Sequence, residues 1–135
     1  MNRCVRNNNP LNIVRGKSPW KGLKAEQTDA DFVQFENIVW GFRAAWVLFR
    51  TYLTRRGVQN LGQLIRRWCP DRTAPAYTKW VSRRSGVKVD FPLQFHEEYY
   101  EDLSKIMLNM ARYEGYNVLT DEELLKAIKK GWDML

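Results

Sequence analysis

The chain has 135 residues, 44% of them hydrophobic and 27% charged, which suits one globular domain, residues 1–135, with one core. Its 22 basic residues against 15 acidic ones leave a formal charge of +7, so its surface favours a polyanion such as nucleic acid, an anionic membrane face or cell-wall polymer. Two cysteines without metal-ligand spacing and a single histidine speak against a zinc site and a histidine-based triad, and no apolar run approaches the ~18–20 residues of a membrane span.

Residues 1–37 read as irregular or short-stranded, punctuated by Gly16, Pro19 and Gly22. Within them, "DFVQFE" (31–36) has the composition of a short strand, and "NIVRG" (12–16) is its candidate hairpin partner. From Val39 to Gly57 the period becomes helical, with Trp40, Ala44, Val47, Leu48 and Tyr52 on one face and Gly57 as the stop. A short helix follows over 60–68, capped by Asn60. Pro70 and Pro75 bound a loop, and a third helix runs over 75–86 with Tyr77, Trp80 and Val81 inward and Gly86 as terminator. The fourth helix covers "HEEYYEDLSKIMLNMARYEG", acidic at its start as the helix dipole prefers. The fifth, 120–132, opens on a Thr120/Glu123 capping box. The expected fold is therefore mainly α (α+β): about five helices with a small N-terminal β or loop lobe.

Two features stand outside this plan. In the fourth helix the inward positions Leu103, Ile106, Met107 and Met110 lead, one step of four later, to Glu114. Partial burial beside apolar groups raises a carboxyl pKa and lets the acid donate a proton to a leaving oxygen, as cleavage of a glycosidic bond requires. The plainer account is a solvated carboxylate at a fraying helix end. The second feature is "RNNNPLNI" (6–13), with four asparagines in eight positions. Asparagine carries a donor and an acceptor on a short arm, which suits hydroxyl and acetamido groups, and it equally suits turns and caps. Of the six tryptophans, Trp20 and Trp40 are candidate platforms for a sugar, with core packing the stronger account of Trp40. The pairs Arg55–Arg56, Arg66–Arg67 and Arg83–Arg84 fall at helix ends, where pairing with the dipole explains them; a polyanion track is the alternative. Cys4 and Cys69 are expected as free thiols, with a disulfide between them as the alternative.

"RNNNPLNI", then Trp20-x-Gly22, then Phe32-x-x-Phe35 ahead of Gly41-Phe-Arg-Ala44, then "RRWCP" (66–70) and a Tyr77-x-x-x-Val81 helix together resemble a family of small phage and prophage proteins. Members carry an Arg-Asn-Asn-Asn-Pro-Gly-Asn-Ile opening and are described as virion structural or lysozyme-like proteins. The resemblance runs in order from Arg6 to about Trp132; Leu11 departs from the family's glycine, the "DRTAP" loop from its acidic or Asn-rich one, and Glu114-Gly115 lacks the Asn of a Glu-Asn-Gly ending. It implies a lysozyme-like helical domain in circularly permuted order, because the Asn segment precedes the Glu. It also implies a peptidoglycan-cleaving glycosidase of muramidase or lytic transglycosylase type, with Glu114 as general acid, Asn7, Asn8, Asn9 and Asn12 orienting the sugar and Trp20 stacking on it. Asp29 and Asp31, flanking the β element, are the candidate second carboxylates, with Glu36 and Glu26 behind them. Such a protein needs no metal and no cofactor. It is expected to be a monomer made in the cytoplasm without a signal peptide, acting on glycan strands at the cell wall or periplasm or as part of a virion. The alternatives are a virion protein that only grips glycan and a basic nucleic-acid-binding protein.

Overall fold

The computed structural model describes all 135 residues and is mainly helical: α1 Arg3–Arg6, α2 Ile38–Arg55, α3 Leu61–Trp68, α4 Ala74–Ser85, α5 Tyr100–Glu114 and α6 Asp121–Asp133, with a 3₁₀ turn at Glu97–Tyr99 ahead of α5. No helix is long and apolar enough to cross a membrane. The helix boundaries follow local chemistry. Asn60 accepts the Gln63 N–H at the start of α3, and Thr120 and Glu123 form a complete capping box on α6. Pro75 stands in the first turn of α4, and Gly86 ends it in the left-handed conformation at φ 76°. The four-residue α1 has no counterpart in the periodicity of the sequence, because a single turn is too short to show one.

The residues divide into two compact units. One joins both ends of the chain, Met1–Val47 with Glu114–Leu135; the other is the continuous stretch Leu48–Tyr113.

In the first unit, the expected hairpin is reduced to one isolated bridge, Val14 with Phe32, and a second bridge joins Leu23 with Phe35, both antiparallel. The pairing of 12–16 with 31–36 is as the sequence suggests, supported by Val33 N–H to Ile13 O at 3.0 Å and Arg15 N–H to Asp31 O at 2.8 Å, but side-chain hydrogen bonds replace a longer ladder. Two glycines carry close approaches. At Gly41 a Cβ would overlap the Asn8 carbonyl and meet Pro10 Cδ at 2.7 Å, so the asparagine turn lies directly on α2. At Gly131 a Cβ would meet Arg43 N at 2.8 Å, so α6 crosses α2 nearly backbone to backbone. Trp46 is locked into this crossing: its Nε1–H donates to Ile128 O at 2.9 Å, and its ring stands edge-on to Trp132 at 4.9 Å.

The most enclosed residues of α2 are Phe42, Ala45, Trp46 and Phe49, whereas of the expected stripe only Ala44 is buried and Trp40, Val47, Leu48 and Tyr52 are half-buried. The helix is apolar around most of its circumference, so periodicity alone admits two faces.

In the second unit α3 and α4 pack on each other. Leu61, Leu64, Ile65, Tyr77 and Val81 are enclosed, as are Leu103, Ile106, Met107 and Met110 of α5, the four inward positions read from the sequence. Tyr77 stacks on Tyr113 with centroids 4.0 Å apart, and Trp80 meets Tyr113 edge-on.

Alanine is normally the better helix former by about 1 kcal/mol. At Gly131, however, the new methyl would press on the α2 backbone, so Gly131→Ala is expected to destabilise by roughly 1–3 kcal/mol, as overpacking does. Thermal unfolding measures this, and an unchanged or raised melting temperature would contradict the close crossing.

Candidate functional site

The asparagine segment is built by its own side chains. Asn8 and Asn12 adopt left-handed backbone conformations, φ 50° and 53°, which asparagine tolerates better than most residues. The Asn9 carboxamide is wholly enclosed: Nδ2 donates to Ile13 O and Val33 O, both at 2.9 Å, and Oδ1 accepts from Ile13 N. Asn7 is equally enclosed. Its Nδ2 donates to Asp29 Oδ2 at 3.0 Å, its Oδ1 accepts from Gln34 Nε2 at 3.0 Å, and its backbone carbonyl accepts from Phe35 N–H. Asn8 Nδ2 reaches the carbonyls of Phe35 and Glu36 at 3.2 and 3.3 Å.

Asp29 is the hub of this network. Its side chain is 1% exposed. Oδ1 accepts from the backbone N–H groups of Asp31 and Phe32 in a local turn, and Arg3 and Arg6 approach the two carboxylate oxygens at 3.4 and 3.3 Å. These contacts hold the carboxyl well below its usual range: the Asn7 amide contributes most, then the Asp31 and Phe32 N–H groups, with Arg3 adding to them and burial opposing. Gln34 closes the loop by accepting from Thr28 and Asp29 through Oε1.

The sequence expectation for this segment is corrected accordingly. Asn7 and Asn9 are wholly enclosed and bonded within the fold, and Asp29 is almost fully covered, so none of the three reaches a surface where a sugar could sit. Asp31 remains accessible, its side chain 62% exposed, and is paired with Arg3 at 2.9 Å.

Asn12 points elsewhere. Its Nδ2 donates to Glu114 Oε1 at 3.0 Å and approaches Glu114 O at 3.4 Å, while its Oδ1 is enclosed without a donor. Asn2 Nδ2 donates to Gly115 O at 2.5 Å, and the Cys4 thiol faces Glu114 O at 3.7 Å. The two chain ends thus converge at the last residue of α5, where Glu114 is half-buried and Gly115 turns the chain at φ 107°. Burial pushes the Cys4 thiol up, and the Glu114 charge adds to this. Both cysteines are free thiols. Trp20 is half-buried in the loop before Gly22, and Gly22 is required because a Cβ there would overlap the Trp40 ring.

The structure therefore joins Asn12 with Glu114 and, separately, Asn7 with Asp29. Arg3, Cys4, Arg6 and Gln34 are members of these clusters that the sequence did not single out; they are brought in by contacts spanning 23 to 110 positions, or by a glutamine lying between apolar residues, and none leaves a local signal. No group of three or more His, Cys, Asp or Glu side chains converges as a metal-holding set.

The depressed carboxyl of Asp29 fixes a sign. A carboxyl with a lowered folded-state pKa contributes stability that is fully present above its unfolded value of about 3.9 and is lost as pH falls below it. Asp29→Asn is expected to melt at lower temperature near neutrality and to lose part of the wild-type decline in melting temperature between about pH 4 and 2. Parallel pH profiles for the two proteins would contradict the role of Asp29.

No family model matches the chain. It is similar to Protein P5 of Pseudoalteromonas phage PM2, with 30% identity over 135 residues that cover 96% of this chain and 82% of the phage protein. Sequence likeness of that extent, carried along nearly the whole chain, places it in the family of this phage protein.

Proposed function

We propose that the chain is a phage or prophage lysozyme-like protein that cleaves the glycan of peptidoglycan with one carboxyl group, Glu114. The observation that carries this reading is the Asn12–Glu114 contact: a half-buried acid at the end of an apolar helical stripe, held by an amide from the Asn-rich opening segment 102 positions away. The first of the two expected second acids, Asp29, is occupied by the fold, which favours the lytic transglycosylase course over one needing a carboxylate pair. In that course Glu114 gives its proton to the glycosidic oxygen as the bond to the anomeric carbon breaks. The resulting carboxylate then takes the proton of a hydroxyl of the same sugar as that hydroxyl's oxygen bonds to the anomeric carbon. Asn12 positions the carboxyl group, and Trp20, half-buried in the loop before Gly22, is the candidate sugar platform.

A second reading is favoured by the enclosure of Asn7 and Asn9: a virion component that grips glycan without cutting it. One experiment separates the two. Purified protein is incubated with Gram-negative sacculi, and soluble muropeptides are resolved by mass spectrometry. The first reading expects release of products lighter by one water than hydrolytic ones, with loss of about 10²-fold or more in Glu114→Gln, the scale of general acid catalysis. Retention on sacculi without any released product would leave the second reading standing and end the first.

A further inference from the structure

Charge is unevenly distributed along the chain. Ten of its 22 basic residues and one of its 15 acidic ones fall within 48–88, so that stretch carries +9 while the remainder carries −2. The stretch comprises the end of α2, all of α3 and α4, and their connections, within the Leu48–Tyr113 unit. Here the charges do not simply coat a convex face. A cavity of about 650 Å³ is lined by Tyr52, Arg56, Gln63, Arg66, Arg67 and Pro70 among others, with no acidic side chain in its wall. Gly57, at φ +70°, turns the chain out of α2 and brings Arg56 and Val58 to the cavity rim. Arg66 also lines a second cavity, of about 260 Å³, together with Lys79, Thr78 and Gly62. The two cavities share Arg66 in their walls, and between them this basic groove carries Arg56, Arg66, Arg67 and Lys79.

The cations of this groove lack protein anions. None of Arg56, Arg66, Arg67 and Lys79 takes part in a salt bridge. The one carboxylate within 48–88, Asp71, is occupied by the Thr73 N–H and hydroxyl and by the Cys69 thiol. Arg67 lays its guanidinium over the Tyr52 ring at 5.3 Å, and Tyr52 in turn meets Trp68 edge-on at 6.2 Å, which gives the wall an aromatic element beside its charges. Burial pushes the Tyr52 hydroxyl up while Arg67 and Arg56 oppose it, so both guanidiniums act on the same hydroxyl. Pairing of Arg66 and Arg67 with the α3 dipole accounts for two charges at a helix end; it does not account for Arg56 in the same cavity wall or for Lys79 beside Arg66 in the second.

We propose that this groove binds a phosphodiester chain, specifically single-stranded nucleic acid, with Arg56, Arg66, Arg67 and Lys79 on successive phosphates and Tyr52 against a base or sugar. Forked guanidiniums suit phosphate oxygens, and a positive channel with an aromatic wall is the combination that takes a single strand irrespective of sequence.

The test is fluorescence anisotropy of a labelled single-stranded oligonucleotide against the full chain over a range of salt, with the same titration on duplex DNA and co-sedimentation with phosphatidylglycerol vesicles. The triple variant Arg56→Gln, Arg66→Gln, Arg67→Gln is compared with Arg72→Gln, Arg83→Gln, Lys88→Gln, which removes the same charge from exposed positions outside the two cavities. The groove variant is expected to lose at least about tenfold in affinity and to flatten the log–log salt dependence by about 2, because each lost single-strand phosphate contact contributes about 0.7. The control is expected to lose less than about threefold. Equal losses in the two variants would reduce the effect to net charge and overturn the proposal, as would tighter binding of duplex or of vesicles than of the single strand. An unchanged circular dichroism melt of the groove variant excludes unfolding as the cause of its loss.

Discussion

A buried carboxylate surrounded by donors holds the N-terminal third of the chain in shape. Asp29 is removed from water and would be costly there alone; it is tolerated because Asn7, two backbone N–H groups and two guanidiniums surround it. The rest of the segment follows from that arrangement. Asn7 must face inward, which fixes the left-handed turn at Asn8 and the inward amide of Asn9, and the turn must lie flat on α2, which requires Gly41. Only with this turn in place does Asn12 come round to the end of α5 and meet Glu114. The opening motif is thus a folding device before it is a binding one, and its most specific product is the position of a single amide.

That device also narrows the chemistry available. A site with two free carboxylates would admit hydrolysis by a paired mechanism. Here Asp29 serves the fold and Asp31 is an exposed partner of Arg3, so the proposed acid chemistry at the α5 terminus rests on Glu114 alone. The basic surplus belongs to a different part of the molecule, the Leu48–Tyr113 unit, where it lines a groove. Membership in a phage protein family is compatible with contact to either cell-wall glycan or nucleic acid, and each would use separate residues.

Much of the helical plan was legible because its signals are local. Asn60, the Thr120–Glu123 box, Pro75 and Gly86 act within one or two turns of their own position, so a reader of the chain sees both partners of each interaction at once. The inward positions Leu103, Ile106, Met107 and Met110 of α5 were equally plain, although Leu108, Asn109 and Ala111 beside them are buried too. The phase of α2 was not, since Phe42, Ala45, Trp46 and Phe49 compete with a second apolar stripe on the same helix. The β lobe was over-read: the segments pair, but glutamine and asparagine side chains take over most of the bonding that a ladder would supply.

The sequence by itself determined the mainly α architecture, the helix ends, the excess of positive charge and the presence of an acid at the end of an apolar stripe, all of which depend on neighbours within a few residues. The tertiary structure alone decided which asparagines are building material and which one reaches Glu114, that Asp29 is sealed among cations, and that arginines from separate segments share one concavity. Those outcomes rest on contacts between residues far apart in the chain, and a linear pattern carries no record of which distant donor satisfies which buried acceptor.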